Sequence, residues 1–168
     1  MEATATDMAT LVAEVEGLKR KVRLLEDQEK IRECLARFSF TADMGRPEEF
    51  VHGVWTEKGV YDLGPTTRIE GSGALDGLIR GSGSKSIENR SQHTVMNLFS
   101  RVEGDTAWAE GYSVVFLKEE DRYIAWSNGY NHWEFERRGD RWYMTLRKRR
   151  AVGGDEWGGE VIKSFLDQ

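Results

Sequence analysis

Of the three histidines in this 168-residue chain, His52, His93 and His132, His93 stands where a proton-transfer group would be useful. It opens an apolar, strand-like stretch directly after the Gly/Ser-rich residues 81–90, where a mobile segment would meet a rigid scaffold. A neutral imidazole, with an unperturbed pKa of roughly 6.5, is suited to proton removal near neutral pH. A carboxylate held against its other ring nitrogen fixes the tautomer and stabilises the imidazolium that forms. Asp43, at the end of a predicted helix, supplies that carboxylate if the helix packs over a sheet. The residues alone point first to a plainer reading: His93 a hydrogen-bonded strand residue, Asp43 an ordinary helix-end polar group. His132 follows Asn131 in a strand, so the two point to opposite faces and only one lines a cavity. His52 falls in the exposed stretch of a short helix. Asp62, in VYDLG, is a second acid. Desolvated among aromatics it would have a raised pKa and shuttle a proton, and at a hairpin end it would pair with Arg68.

What is missing narrows the chemistry. There is no G-x-S-x-G elbow, no P-loop, no dinucleotide fingerprint and no His-x-x-x-His pair, so hydride transfer, nucleotide hydrolysis and zinc hydrolysis have no visible machinery. The single cysteine, Cys34, excludes an intrachain disulfide and a cysteine-clustered metal site. A net charge of −5 argues against a general nucleic-acid binder. No apolar run approaches the eighteen or so residues of a membrane helix, and MEATATDMAT lacks the basic start and apolar core of a secretory signal. The expectation is a cytoplasmic, single-domain protein with no membrane segment. Aromatics at 11% are too many for a disordered chain. Phe38, Trp55, Phe99, Trp126, Tyr130 and Trp133 are candidates to wall a pocket for a planar ligand, although most will be core. Along the run Arg147, Lys148, Arg149 and Arg150, alternate residues point inward, where an arginine would hold a carboxylate, phenolate or carbonyl oxygen.

The elements that must position these groups can be read from periodicity. Leu11, Val15, Leu18, Val22 and Leu25 recur in steps of four and three, the seam of a coiled-coil helix. Ile31, Leu35, Phe38 and Ala42 continue in another phase, which predicts a bend or break near Asp27. Gly45 ends that helix and Pro47 opens the next, whose inward side carries Phe50, Val51, Val54 and Trp55. A hairpin over 59–63 and 68–70 follows, then a small helix from Ser72, then residues 81–90 as a mobile loop long enough to be a lid. Four strands close the chain, 91–103, 106–118, 122–137 and 141–150, with turns rich in Gly, Asp and Glu. Helices segregated to one side of an antiparallel sheet make an α+β fold. In the second long strand Trp108, Glu110, Tyr112, Val114 and Phe116 oppose Ala107, Ala109, Gly111, Ser113 and Val115. The small-residue face suits a concave sheet with a ligand against it, or merely a closely packed helix. The bulky face suits a subunit interface.

In its order of segments the chain resembles the SnoaL-like branch of the nuclear-transport-factor-2-like superfamily. The segments are LLEDQEKIRECLARFSFTAD, the helix with Trp55, VYDLG, SGALDGLI, SQHTVMNLF and NHWEFERRGDRWYMT, together roughly residues 25–150. Scytalone dehydratase, bile acid 7α-dehydratase and hexachlorocyclohexane dehydrochlorinase are the members it looks most like. The resemblance implies a cone-shaped α+β barrel, a curved mostly antiparallel sheet wrapped around helices. It implies no cofactor and no metal, and a trimer in many members. It also implies a His–Asp dyad at His93 and Asp43, and a substrate-holding asparagine at Asn131. A C-terminal arginine of the family maps near Arg149 or Arg150, and ketosteroid isomerase, another cone-fold enzyme, has its base where Asp62 stands. Two positions depart from the family: a tyrosine has become Phe38, and a polar strand residue has become Val115. The pocket is then less polar than in those relatives.

The expectation is a cofactor-independent lyase acting on a small apolar, aromatic alcohol. It would lose water, or formaldehyde from a hydroxymethyl group. His93 and Asp43 would be catalytic; Asn131, Phe38, Trp55, Asp62, Val115, Tyr130, Arg149 and Arg150 would hold the substrate. An isomerase or cyclase of a steroid- or polyketide-like ligand using Asp62, or a non-catalytic ligand-binding cone, are the alternatives. The expected organisation is an oligomerisation helix over 1–26, the cone over 27–152 and a tail over 153–168, assembled as a homo-oligomer with a trimer favoured.

Overall fold

The computed structural model describes residues 5–154 and 158–163, with side chains from residue 7 onward. Helix α1 (Ala5–Asp43) runs uninterrupted for 39 residues, so the expected break near Asp27 is not there. What changes at Asp27 is the surroundings. Leu11, Val15, Leu18, Val22 and Leu25 are exposed, whereas Ile31, Cys34, Leu35 and Phe38 are buried in the core. Asp27 marks the boundary because its carboxylate accepts two hydrogen bonds from Arg137, at 2.6 and 2.8 Å, and one from Trp142 Nε1 at 3.1 Å. Asp is a weak helix former because its side chain competes for backbone hydrogen bonds, but here Arg137 and Trp142 occupy that side chain and no Gly or Pro lies near it to break the helix.

Gly45 closes the helix at φ +59°, a conformation glycine adopts without strain, and a Cβ there would overlap the Glu88 carboxyl group. Pro47 then starts α2 (Pro47–Val54), which buries Phe50, Val51 and Val54. Trp55, expected as the last inward residue of that helix, is the first residue of β1 (Trp55–Asp62). β2 (Arg68–Glu70), α3 (Ser72–Arg80) and α4 (Ser82–Ile87) follow. Residues 81–90, expected as a mobile loop, thus hold a six-residue helix. Its serines bond locally, with Ser84 Oγ donating to Leu78 O, and Asn89 N–H anchors the following turn to Asp43 O at 2.8 Å.

The last four strands are β3 (Ser91–Glu103), β4 (Thr106–Glu119), β5 (Arg122–Arg138) and β6 (Arg141–Ala151), joined as three antiparallel hairpins. The six strands form one curved, unclosed sheet in the order β2-β1-β6-β5-β4-β3, with β1 and β6 its parallel pair. The fold is α+β, with the second half of α1 and α2 packed in the hollow of the sheet. Bulges between Met96 and Phe99, at Trp126 and at Thr145 bend the strands, and each also shifts the alternation of faces. Asn97 takes φ +50° at the first, so Val95, Leu98 and Val102 face the core while Phe99 packs against Trp108 outside it. Trp126 is 52% exposed rather than part of a pocket wall. In β4 the small residues Ala107, Ala109, Gly111, Ser113 and Val115 face inward, as the period-two pattern requires. A 3-10 helix (Gly158–Ile162) lies over the outer face, its Gly158 so close to the Tyr130 ring that no larger residue fits. No helix among the described residues is long and apolar enough to cross a membrane.

Candidate active site

The end of α1 meets the start of β3 at the two residues expected to do acid–base work. His93 Nδ1 lies 2.6 Å from Asp43 Oδ1, and Asp43 Oδ2 accepts the His93 backbone N–H at 2.9 Å. Ser91 Oγ donates to the same carboxylate at 2.7 Å. Ser91 is two residues before His93, on the same face of the strand, a spacing that would have flagged it in the sequence. The carboxylate is thus fixed from three directions, while both side chains keep a little exposure (19% for His93, 15% for Asp43). With Nδ1 engaged, Nε2 on the far edge of the ring is the nitrogen left for a substrate. His93 borders a cleft of about 460 Å3 between α1 and β3, shared with Leu35, Ser39, Phe40, Val95 and Leu98.

On its other side His93 meets Phe38, edge-on at 6.2 Å between ring centres. Phe38 also touches Phe50, Trp55 and Tyr61, and stands 4.7 Å from the guanidinium of Arg147. Arg147 is an inward arginine of β6. The bulge at Thr145 moves the alternation by one, so Arg147 follows Trp142 and Met144 into the interior. It is 3% exposed, lies over Tyr61 at 4.8 Å, and has no carboxylate partner among the described residues. Burial pulls its pKa below the ordinary arginine value, and the charge of Arg149 adds to that. Its Nε donates to Asn131 Oδ1 at 3.0 Å and its Nη2 to Ser113 Oγ at 3.3 Å, but Nη1 finds no partner among the described residues. The indole N–H groups of Trp55 and Trp133 are likewise buried and have no partner among the described residues. Buried donors without a partner are uncommon in a folded protein, and these three border the aromatic cluster around Phe38.

The remaining expected site residues divide by face. Asn131 is fully buried but spent, donating to Ser113 Oγ and Gly129 O and accepting from Arg147. Its side-chain oxygen holds the Arg147 guanidinium in place. Val115 pairs across the strands with His93 and is buried, an apolar wall beside the dyad. Arg149 points inward but donates to Ser127 Oγ and Asn128 O. Asp62, Tyr130 and Arg150 lie on the outer face of the sheet. Asp62 pairs with Arg150 at 2.8 Å and with the expected Arg68 only at 4.0 Å. Burial alone would raise the Asp62 pKa, but the hydrogen bonds from Arg150 and Gly64 and nearby cations hold it low, the opposite of what a general base needs. Tyr130 packs on Tyr112 under the 3-10 helix. The parallel pairing of β1 with β6, which puts Asp62 beside Lys148 and within reach of Arg150, has no signal in the sequence.

The SnoaL-like domain model matches residues 23–148, three quarters of the chain. This chain belongs to the SnoaL-like family. Among solved structures it is similar to an NTF2-like protein with a cystatin-like fold from Novosphingobium aromaticivorans, at 28% identity and a TM-score of 0.78, over 96% of this chain and 99% of that one. A second protein from the same organism, provisionally named scytalone dehydratase, is 19% identical with a TM-score of 0.59, over 76% and 85% of the two chains. A Catenulispora acidiphila protein solved in complex with S-DNPA is 16% identical with a TM-score of 0.64, over 84% and 97%. The last two likenesses show the SnoaL-like fold alone. Comparison with curated proteins gives no match.

Proposed function

We propose that this SnoaL-like protein is a cofactor-independent lyase that eliminates water from a small, apolar, aromatic alcohol. The observation that carries the reading is the Asp43–His93 contact, with its carboxylate held by Ser91 and the backbone. In this reading His93 Nε2 accepts the proton from the carbon beside the alcohol carbon. The released electron pair forms the double bond and expels the hydroxyl. The imidazolium, stabilised by Asp43, returns the proton to the leaving oxygen, so the net loss is one water. A conjugated phenol or carbonyl oxygen on the substrate takes up charge as the bond breaks. Arg147 Nη1 and the indole N–H groups of Trp55 and Trp133 are the donors available to stabilise it. Phe38 and Val115 make the surroundings apolar, which strengthens those interactions and selects against highly polar substrates.

The test is incubation with a panel of benzylic and allylic alcohols carrying a conjugated phenol or carbonyl, with no cofactor added. Conjugated-alkene absorbance should grow with the native protein and not with His93→Ala. Mass spectrometry of the product separates loss of water from loss of formaldehyde. Binding of the panel without turnover would overturn the enzyme in favour of a ligand-binding cone.

A further inference from the structure

The N-terminal half of α1 carries an apolar seam that its own domain is unable to cover. Met8, Leu11, Val15, Leu18, Val22 and Leu25 are each 40–64% exposed on an unbroken helix. At about 100° per residue, their common direction is about 180° around the helix from that of Asp27, Ile31, Cys34, Leu35 and Phe38, which face the body. Since the helix does not bend, no movement of this chain folds the seam back onto its own core.

We infer that residues 8–25 pair with the same residues of a second copy of this chain as a parallel, in-register, two-stranded coiled coil. The six residues are three successive pairs of core positions, with Met8, Val15 and Val22 alternating with Leu11, Leu18 and Leu25. Branched valine at the first core position with leucine at the second favours two strands over three. The flanking charges select the direction. In a parallel pair each residue just before a first core position faces the residue five further along the partner helix. Glu14 then meets Lys19 of the other copy, and Lys21 meets Glu26, which makes four attractive contacts by symmetry. An antiparallel pair would match Glu14 with Lys21 and leave Lys19 and Glu26 without opposite charges. The coil also begins with an advantage, because α1 is already nucleated by its buried second half and association only has to order its continuation.

The full-length chain should sediment as a species of twice its mass, and Leu18→Asp should raise the dissociation constant by about a hundredfold or more. That substitution lies outside the core, so thermal melting of the body should stay close to native, while far-UV circular dichroism should lose no more than the helical signal of the N-terminal segment. Cysteine scanning reads the register. Leu11→Cys and Leu25→Cys should each form a disulfide-linked dimer on oxidation, while buried Cys34 stays silent. Charge exchange reads it independently. Glu14→Lys should weaken the dimer, and adding Lys19→Glu in the same chain should restore it. Rescue by Lys21→Glu instead, cross-linking only when Met8→Cys and Leu25→Cys chains are mixed, a trimer, or a native monomer at micromolar concentration would each overturn the inference.

Discussion

Replacing Asp27 with asparagine removes the charge from a buried carboxylate that ties α1 to the β5–β6 hairpin. In the native protein it accepts two hydrogen bonds from Arg137 and one from Trp142, and its side chain is only 10% exposed. Breaking a buried ion pair costs ~3–5 kcal/mol. Here the guanidinium is 26% exposed and keeps Asp105 at 3.0 Å, so the loss drops to the bottom of that range or just below it, about 2–3 kcal/mol. For a chain of this length that is a fall in melting temperature of roughly 5–10 °C. The pH dependence gives a second signature. Burial pushes the Asp27 pKa up, but the hydrogen bonds from Arg137 and Trp142 and the Arg137 charge outweigh it, leaving the folded value low. Its stabilisation is therefore complete above the unfolded value of roughly 3.9 and is lost as pH falls through the folded one. Urea unfolding of native and Asp27→Asn protein, at one protein concentration, should show the full gap at neutral pH and a narrowing gap below about pH 4. A gap under about 0.5 kcal/mol at neutral pH, or one that does not narrow in acid, would refute the reasoning.

Three further outcomes follow from the same structure. Burial disfavours the charged form of His132, but Glu134 and Glu110 outweigh it and raise its pKa, so its contribution is complete below an unfolded value of roughly 6.5 and fades as pH rises through the folded one. Unfolding free energies of His132→Gln should therefore lack that decline on the alkaline side, and an unchanged slope would exclude the His132 pair as its source. Burial pushes the Cys34 thiol up to about 12, so a thiol reagent at mildly alkaline pH should label it only in denaturant, and rapid labelling of the native protein would contradict the packing of α1. Arg147→Met should leave stability within about 1–2 kcal/mol of native, because it removes a buried cation without a carboxylate partner, while turnover should drop roughly a hundredfold to a thousandfold. A Met variant that turns over normally would remove Arg147 from the reaction.

The strands of the meander were legible because Gly104-Asp105 and Gly139-Asp140 punctuate long period-two runs. Bulges leave no such mark. The extra residue at Thr145 is why Arg147 and Arg149 face inward while Arg150 faces outward, and the one at Asn97 is why Phe99 faces outward. Composition misled at residues 81–90, where Gly and Ser suggested a loop but local serine bonds and the anchor to Asp43 O support a short helix. At Asp27 the change of apolar phase was visible, yet it reports where the body begins rather than where the helix bends. Asp62 shows the limit of local reasoning. Its partner comes from a strand 88 residues away, through a parallel pairing that no nearby residue encodes.

The decisive comparison is the turnover of native protein, His93→Ala, Asp43→Asn and the double variant on an alcohol from the panel, with Asp62→Asn alongside. Each dyad variant should keep its fold and lose roughly a hundredfold to ten-thousandfold in rate, the usual worth of a positioned acid–base group. The double variant should be scarcely slower than the poorer single one, because the two side chains act as a unit. Asp62→Asn, altered on the outer face, should stay near native. Near-native turnover in His93→Ala with a collapse in Asp62→Asn would contradict the assignment of His93 as the base.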